Sequence, residues 1–252
     1  MCVLGRQTSE TTYLETLMTA STDQPSFLAT RRGKLTLALL CAASFLDVVD
    51  ASIVNVALPS IRHQLHFSVQ SLQWVLSGYL LTYGGFLLLG GRAADLLGRR
   101  RVFVAGTSLF ALSSLAAGLA GSEGTLIAAR LVQGLGAAMM SPAALSILTT
   151  SFHEGSDRHK ALGAWAGIAG LAAAVGVIMG GVLSQGPGWR WVFFVNLPMS
   201  VLVLIGAFRL LDGGRSRGSL ANFGSPGMIV GEVTRTLVRV GVSVRPVHRR
   251  GE

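Results

Sequence analysis

The chain has 252 residues, 50% of them hydrophobic and only 13% charged, with a mean hydropathy of +0.55. Soluble domains carry about 25% charged residues, so this is the composition of a membrane protein. The formal net charge of +9 does not point to nucleic acid, because the basic residues sit at the ends of apolar runs and form no patch interleaved with aromatics.

Residues 1–33 are polar, rich in Thr and Ser, and lack the basic–apolar–cleavage pattern of a signal peptide. They are expected to form a cytoplasmic leader, with Met18 as an alternative start. The first predicted helix lies within residues 35–58, where Asp47 and Asp50 interrupt an apolar run. Pro59 is expected to end it, because the residue before a proline disfavours the helical region. Residues 60–72, with Arg62, His63 and His66, read as a loop. The second helix spans roughly residues 73–91, with Trp74 and Tyr79 near its start, where amphipathic rings favour the membrane interface.

Residues 90–101, GGRAADLLGRRR, read as a short charged turn. An uncharged run of 25 residues, 67–91, precedes it and one of 21 residues, 102–122, follows it. About 20 apolar helical residues span a hydrocarbon core. Gly98 suits a tight reversal because it adopts positive φ without strain.

The third helix is expected at about residues 102–121 and residues 121–124 form a tight loop. The fourth spans roughly residues 125–149, contains Arg130, and is expected to kink at Pro142. Residues 150–160 form a charged loop. The fifth helix covers about residues 161–183, residues 186–191 form a turn, and the sixth covers about residues 192–211. With an amino terminus inside, the outer segments hold only Arg62 and Arg190, whereas the other basic residues flanking the spans fall inside. This predicts a multi-pass protein of the cell (inner) membrane with both termini cytoplasmic. Residues 212–252 form a basic cytoplasmic linker and tail.

Charged residues inside apolar helices carry the chemical signal. Asp47 and Asp50, three residues apart, share one face of a helix. Each charge at mid-membrane costs about 2.5–3.5 kcal/mol, so the acids and Arg130 must be paired, protonated or facing a wet cavity. Two readings follow: a protonatable site lining a pathway, or a fixed ion pair joining the first and fourth helices. Arg130 and Gln133 share a face, and Gly134, at i+4 from Arg130, permits close helix approach and leaves room for the Arg side chain. The alternative for Arg130 is snorkelling to the outer interface. In the fifth helix Gly176, Gly180 and Gly181 belong to a repeated small-residue pattern suited to packing in lipid.

Other chemistries find little support. His153, Glu154, Asp157 and His159 lie close together without the spacing of a helical zinc site. Cys2 and Cys41 offer neither a disulfide framework nor a metal spacing. No phosphate-binding loop or nucleophile elbow is present. The chain therefore reads as a non-enzyme with no metal and no cofactor.

The spacing G-x-x-x-D-x-x-G-R-R, placing Gly91, Asp95, Gly98, Arg99 and Arg100, resembles the signature between helices 2 and 3 of the major facilitator superfamily. In that family the turn belongs to a gating contact between two halves; Leu96 stands where the family often has Arg. VDASIVNVALP, residues 49–59, resembles a segment of the fourteen-helix drug:proton antiporters, and Asp50 is the acid on that motif. RLVQGLGAA, residues 130–138, is similar to the helix 4 signature, whose Arg is linked to proton transfer. GVIMGG, residues 176–181, is similar to the antiporter signature of helix 5, with Val177 where the family usually has Pro. WRWVFFVNLP, residues 189–198, resembles the outer start of helix 6.

The resemblance implies an all-α membrane protein whose six transmembrane helices form one half of the fold. It implies export of small molecules, such as drugs or lipophilic compounds, with the proton gradient as energy source. Asp50, Asp47, Arg130 and Gln133 would then line the proton or substrate pathway. The partners implied are the lipid bilayer, a small-molecule substrate, and either a second transporter half or another copy of the chain. The basic tail after residue 211 reads as the mark of a truncated or frame-shifted transporter. The competing readings are a non-transporting membrane fragment and, from another class, a membrane adaptor or intramembrane enzyme.

Overall fold

The structure, a computed structural model, describes residues 27–152 and 154–211. The expected basic tail, residues 212–252, and most of the expected leader, residues 1–26, lie outside the described residues. A 3-10 turn, Phe27–Ala29, leads into α1, Arg31–Leu65. There follow α2, Val69–Leu97, α3, Arg99–Gly118, α4, Glu123–Ser151, and α5, Ser156–Gln185. The last helix, α6, comes in two pieces, Trp191–Phe194 and Asn196–Leu210, joined through Val195, which is itself in the right-handed helical region. All six are long and apolar enough to cross a membrane. Helices suit lipid because their backbone groups are satisfied within the segment.

The helices are longer than the apolar runs suggest, and their ends are set by local chemistry. Thr30 caps α1 by accepting from the Gly33 amide at 3.0 Å. Four residues of the expected leader, 30–33, thus belong to the start of α1. Pro59 lies inside α1 and does not end it. Proline forfeits one backbone bond, but continuing the helix buries Ile61 completely in the apolar cluster that also holds Val75, Leu126 and Trp189. The expected loop at residues 60–72 shrinks to three residues, 66–68, with His66 at φ 55° closing α1. Ser68 then caps α2 through the Ser71 amide at 3.0 Å.

The charged turn is shorter still. Residues 90–97 are helical, and Gly98 alone, at φ 100° and ψ 125°, separates α2 from α3. That φ is why glycine stands there. The α3–α4 turn occupies residues 119–122 and ends on a reciprocal capping box between Ser122 and Thr125. α4 stays helical through Pro142.

α4 lies against both α2 and α3, α5 runs along α1, and α6 sits against α3 and α1. Glycines set the close approaches. A methyl on Gly106 of α3 would meet the Met140 amide nitrogen of α4 at 2.7 Å, and one on Gly136 of α4 would meet the Phe110 amide nitrogen of α3 at 2.7 Å. On α5, Gly176 and Gly180 sit against Ser52 and Val56 of α1, with Cβ contacts of 2.7 and 2.9 Å. A methyl on Gly181 would meet nothing within 4 Å: one residue past Gly180, it points about 100° away, and among the described residues it makes no such close approach. Gly134 packs against Tyr79 and Thr82 of α2, and its missing side chain admits that helix.

Candidate functional site

Between the two large apolar clusters of the bundle lies a polar layer contributed by α1, α3, α4 and α6. Asp50, Arg130, Gln133, Ser114 and Asn196 are all buried. The α1 face that carries Asp50 also buries Val49, Ile53 and Val54, so the acid is drawn inward by its apolar neighbours. Arg130 and Gln133 enter from α4 on the face that buries Leu126, Ala129 and Ala137.

The geometry is that of an ion pair with most of its remaining bonding capacity filled. Arg130 Nη1 donates to Asp50 Oδ2 at 2.6 Å, with both side chains fully buried. The same nitrogen donates to Gln133 Oε1 at 2.7 Å, and Arg130 Nε donates to the Val75 carbonyl at 3.1 Å. Asp50 Oδ1 accepts from Gln133 Nε2 at 2.9 Å and from Asn196 Nδ2 at 2.7 Å. Asn196 also donates to Ser114 Oγ at 3.1 Å, whose hydroxyl donates to the Phe193 carbonyl at 3.0 Å. The Arg130 guanidinium lies 4.2 Å from the Tyr79 ring centroid and 6.0 Å from that of Phe193. Arg130 Nη2 is buried and lacks a partner. Arg130 therefore does not snorkel; the acceptors on Nε and Nη1 hold it inward.

Asp47 occupies a different place. It is half-buried, and its Oδ1 accepts from the Tyr79 hydroxyl at 2.5 Å. Tyr79 stacks on Tyr83, with ring centroids 6.0 Å apart and planes within 4°. The Tyr83 hydroxyl donates to Ser141 Oγ at 3.2 Å. Tyr79 thus sits inside the bundle and not at the interface. Trp189 is likewise buried, donating from Nε1 to Gln64 Oε1 at 2.9 Å, whereas Trp191 is exposed.

The residues of the charged turn lie apart from this layer. Asp95 and Arg99 form an exposed pair at 3.7 Å, of the kind that contributes little to stability. Arg100 crosses to α6, donating to the Phe208 carbonyl at 3.1 Å with its guanidinium 5.6 Å from the Phe208 ring centroid. Gly91 makes only an ordinary contact with Pro142. The expected loop at residues 150–160 is shorter, because α4 runs to Ser151 and α5 starts at Ser156; His153 is outside the described residues. Glu154 pairs with Arg158 at 3.1 Å, and Asp157 accepts from the Leu28 amide at 3.2 Å.

Of the residues singled out from the sequence, the structure brings Asp50, Arg130 and Gln133 together; Asn196, Ser114 and Tyr83, which join the same polar network, and Tyr79, expected at the interface, were not singled out for it. The one available signal was Asn196, a carboxamide in an otherwise apolar run.

A model of the Major Facilitator Superfamily matches residues 40–242. The chain is 45% identical over 217 residues to the cephamycin export protein CmcT of Amycolatopsis lactamdurans, a match covering 86% of this chain and 45% of that protein. It is 45% identical over 195 residues to the puromycin resistance protein pur8 of Streptomyces alboniger, covering 77% and 39%. It is 43% identical over 174 residues to the multidrug resistance protein Stp of Mycobacterium tuberculosis (strain CDC 1551 / Oshkosh), covering 69% and 32%. The chain thus spans less than half the length of these relatives. Among solved structures, a peptide transporter POT in complex with sulfate superposes with a TM-score of 0.67 at 17% identity, covering 83% of this chain and 46% of that one. At that identity the likeness concerns the fold alone.

Proposed function

This chain belongs to the major facilitator superfamily, with relatives among drug-resistance and antibiotic-export proteins, and on that premise we propose that its six helices form one half of a proton-coupled exporter of small lipophilic compounds. The observation that carries the reading is the fully buried Asp50–Arg130 pair at 2.6 Å, bridged by Gln133 and Asn196. Removing one charge of a buried pair leaves the other uncompensated, which costs about 3–5 kcal/mol. A proton arriving on Asp50 therefore strains Arg130 and favours a second arrangement of α1 against α4. A proton is in this sense a ligand that biases a two-state element.

In this reading the Gly98 end of the bundle faces the cytoplasm, both termini lie on that side, and the protein resides in the cell membrane. Gly91, Asp95, Gly98, Arg99 and Arg100 close against a second six-helix half. Facilitators alternate access by rocking one half against the other around a shared midplane site, so the 252 residues alone are expected to insert without moving substrate.

The test uses proteoliposomes under an imposed pH gradient and a panel of lipophilic cations. The chain reconstituted with a second half from a relative is expected to transport, and Asp50→Asn to abolish the proton drive while leaving insertion intact. Full proton-driven movement by Asp50→Asn overturns the assignment. Movement by the chain alone above empty vesicles establishes a working pair of identical halves instead.

A further inference from the structure

Two arginines hold the carboxyl end of α6. Arg100 of α3 donates to the Phe208 carbonyl at 3.1 Å, with its guanidinium 5.6 Å from the Phe208 ring centroid. Arg32 of α1 donates to the Leu210 carbonyl at 3.3 Å. The last carbonyls of a helix carry partial negative charge and lack intrahelical partners, so these donors match the α6 end from two sides. The residues that follow the Arg100–Phe208 contact, Arg101 on α3 and Arg209 on α6, are both exposed. Neither has a carboxylate partner among the described residues. The acids at this end of the bundle are engaged elsewhere: Asp95 with Arg99, Glu154 with Arg158, and Asp157 with the Leu28 amide.

Each of these two arginines ends an apolar stripe. On α3, Arg101 shares an exposed face with Ala105 and Leu112, at the spacing that keeps residues on one side of a helix. On α6, the exposed Leu202, Ile205 and Phe208 lead up to Arg209. The helices run antiparallel, joined by Arg100 and Phe208 at one end and by Ser114 and the Phe193 carbonyl at the other. Both stripes therefore reach the same corner of the bundle. Composition sets this corner apart from the open faces of α2 and α5. Those faces carry glycines, Gly84, Gly85, Gly163 and Gly167 among them, at which a methyl would meet nothing within 4 Å. Small residues suit the close approach of another helix, whereas large apolar side chains capped by two cations suit an acyl chain with a negative headgroup.

We propose that Arg101 and Arg209 dock the phosphate of an anionic phospholipid whose acyl chains lie along the exposed stripes of α3 and α6. A guanidinium matches a phosphate with paired donors, and a long arginine stem covers apolar surface while its head reaches the headgroup level. Basic places between membrane helices bind anionic headgroups on this principle. Arg100 positions the site by fixing α3 against α6. The proposal goes beyond the export reading: it requires that the helices span a bilayer, for which they are long and apolar enough, and it does not require proton coupling.

The full chain, purified in mild detergent, is titrated with phosphatidylglycerol or with phosphatidylcholine of the same acyl chains, and bound lipid is counted by native mass spectrometry. Phosphatidylglycerol is expected to bind saturably and about tenfold or more tighter than phosphatidylcholine. Arg101→Gln and Arg209→Gln should each weaken phosphatidylglycerol binding about fivefold and leave phosphatidylcholine binding unchanged. Arg62→Gln, which alters an exposed arginine at the opposite end of α1, should change neither. Helical content and thermal unfolding monitored alongside separate a lost site from a lost fold. Equal affinity for the two lipids, unchanged phosphatidylglycerol affinity in a folded chain carrying both Arg101→Gln and Arg209→Gln, or an equal loss in Arg62→Gln each overturns the site. Displacement of the lipid by an equal concentration of glycerophosphoglycerol, its soluble headgroup, would reveal a site for free phosphate and overturn the assignment to lipid.

Discussion

Asp50 and Asp47 stand three residues apart on one helix and meet opposite surroundings. Asp50 is fully buried and receives hydrogen bonds from three side chains on two other helices. Asp47 is half-buried, accepts from the Tyr79 hydroxyl, and has no ion-pair partner among the described residues. A 100° step per residue makes i and i+3 neighbours on a face without making them equivalent. The residual 60° turns one acid toward α4 and α6 and the other toward α2. The lesson concerns charge in membranes: one carboxylate is matched by the protein's own arginine, and the other is held by a neutral tyrosine hydroxyl.

The comparison breaks most readily at Arg130. Arg130→Ala leaves Asp50 buried without its partner and should lower stability by about 3–5 kcal/mol, read from unfolding in lipid or mild detergent. Arg130→Lys should also lose transport, because a point charge cannot reproduce the planar fork that serves Asp50, Gln133 and the Val75 carbonyl. Asn196→Ala removes one of the two donors on Asp50 Oδ1 and should cost about 1–3 kcal/mol, measured the same way. Asp47→Asn should change stability by less than about 1 kcal/mol, since no ion pair is lost; a large loss would show that Asp47 is structural after all. The smallest effect belongs to the exposed turn, where Asp95→Ala should shift unfolding by less than about 0.5 kcal/mol while impairing any transport that requires the second half.

The six helices were legible because lipid demands long apolar runs, and charged residues inside such runs stand out. Asp50 and Arg130 were visible for that reason, and Gln133 because it shares a face with Arg130. The helix ends were not. Arg92 and Asp95 looked like turn residues, yet backbone bonding carries α2 on to Leu97, and only the positive φ of Gly98 stops it. Pro59 looked like a stop signal, and the burial of Ile61 overrode it. Asn196 and Ser114 were hidden because short polar side chains are common in membrane helices, and their partners lie 146 and 82 residues away in sequence. Gly181 looked equivalent to Gly180 until its direction was known.

The most direct test of the central claim, that the charge on Asp50 holds α1 to α4, is a distance measurement between those helices. Spin labels at the exposed positions Leu35 on α1 and Leu145 on α4, with Cys2 and Cys41 replaced by serine, report the separation in nanodiscs. The account predicts one narrow distance distribution for the otherwise unaltered chain and a shifted or second population for Asp50→Asn, which mimics the protonated acid. An identical narrow distribution in both would contradict it.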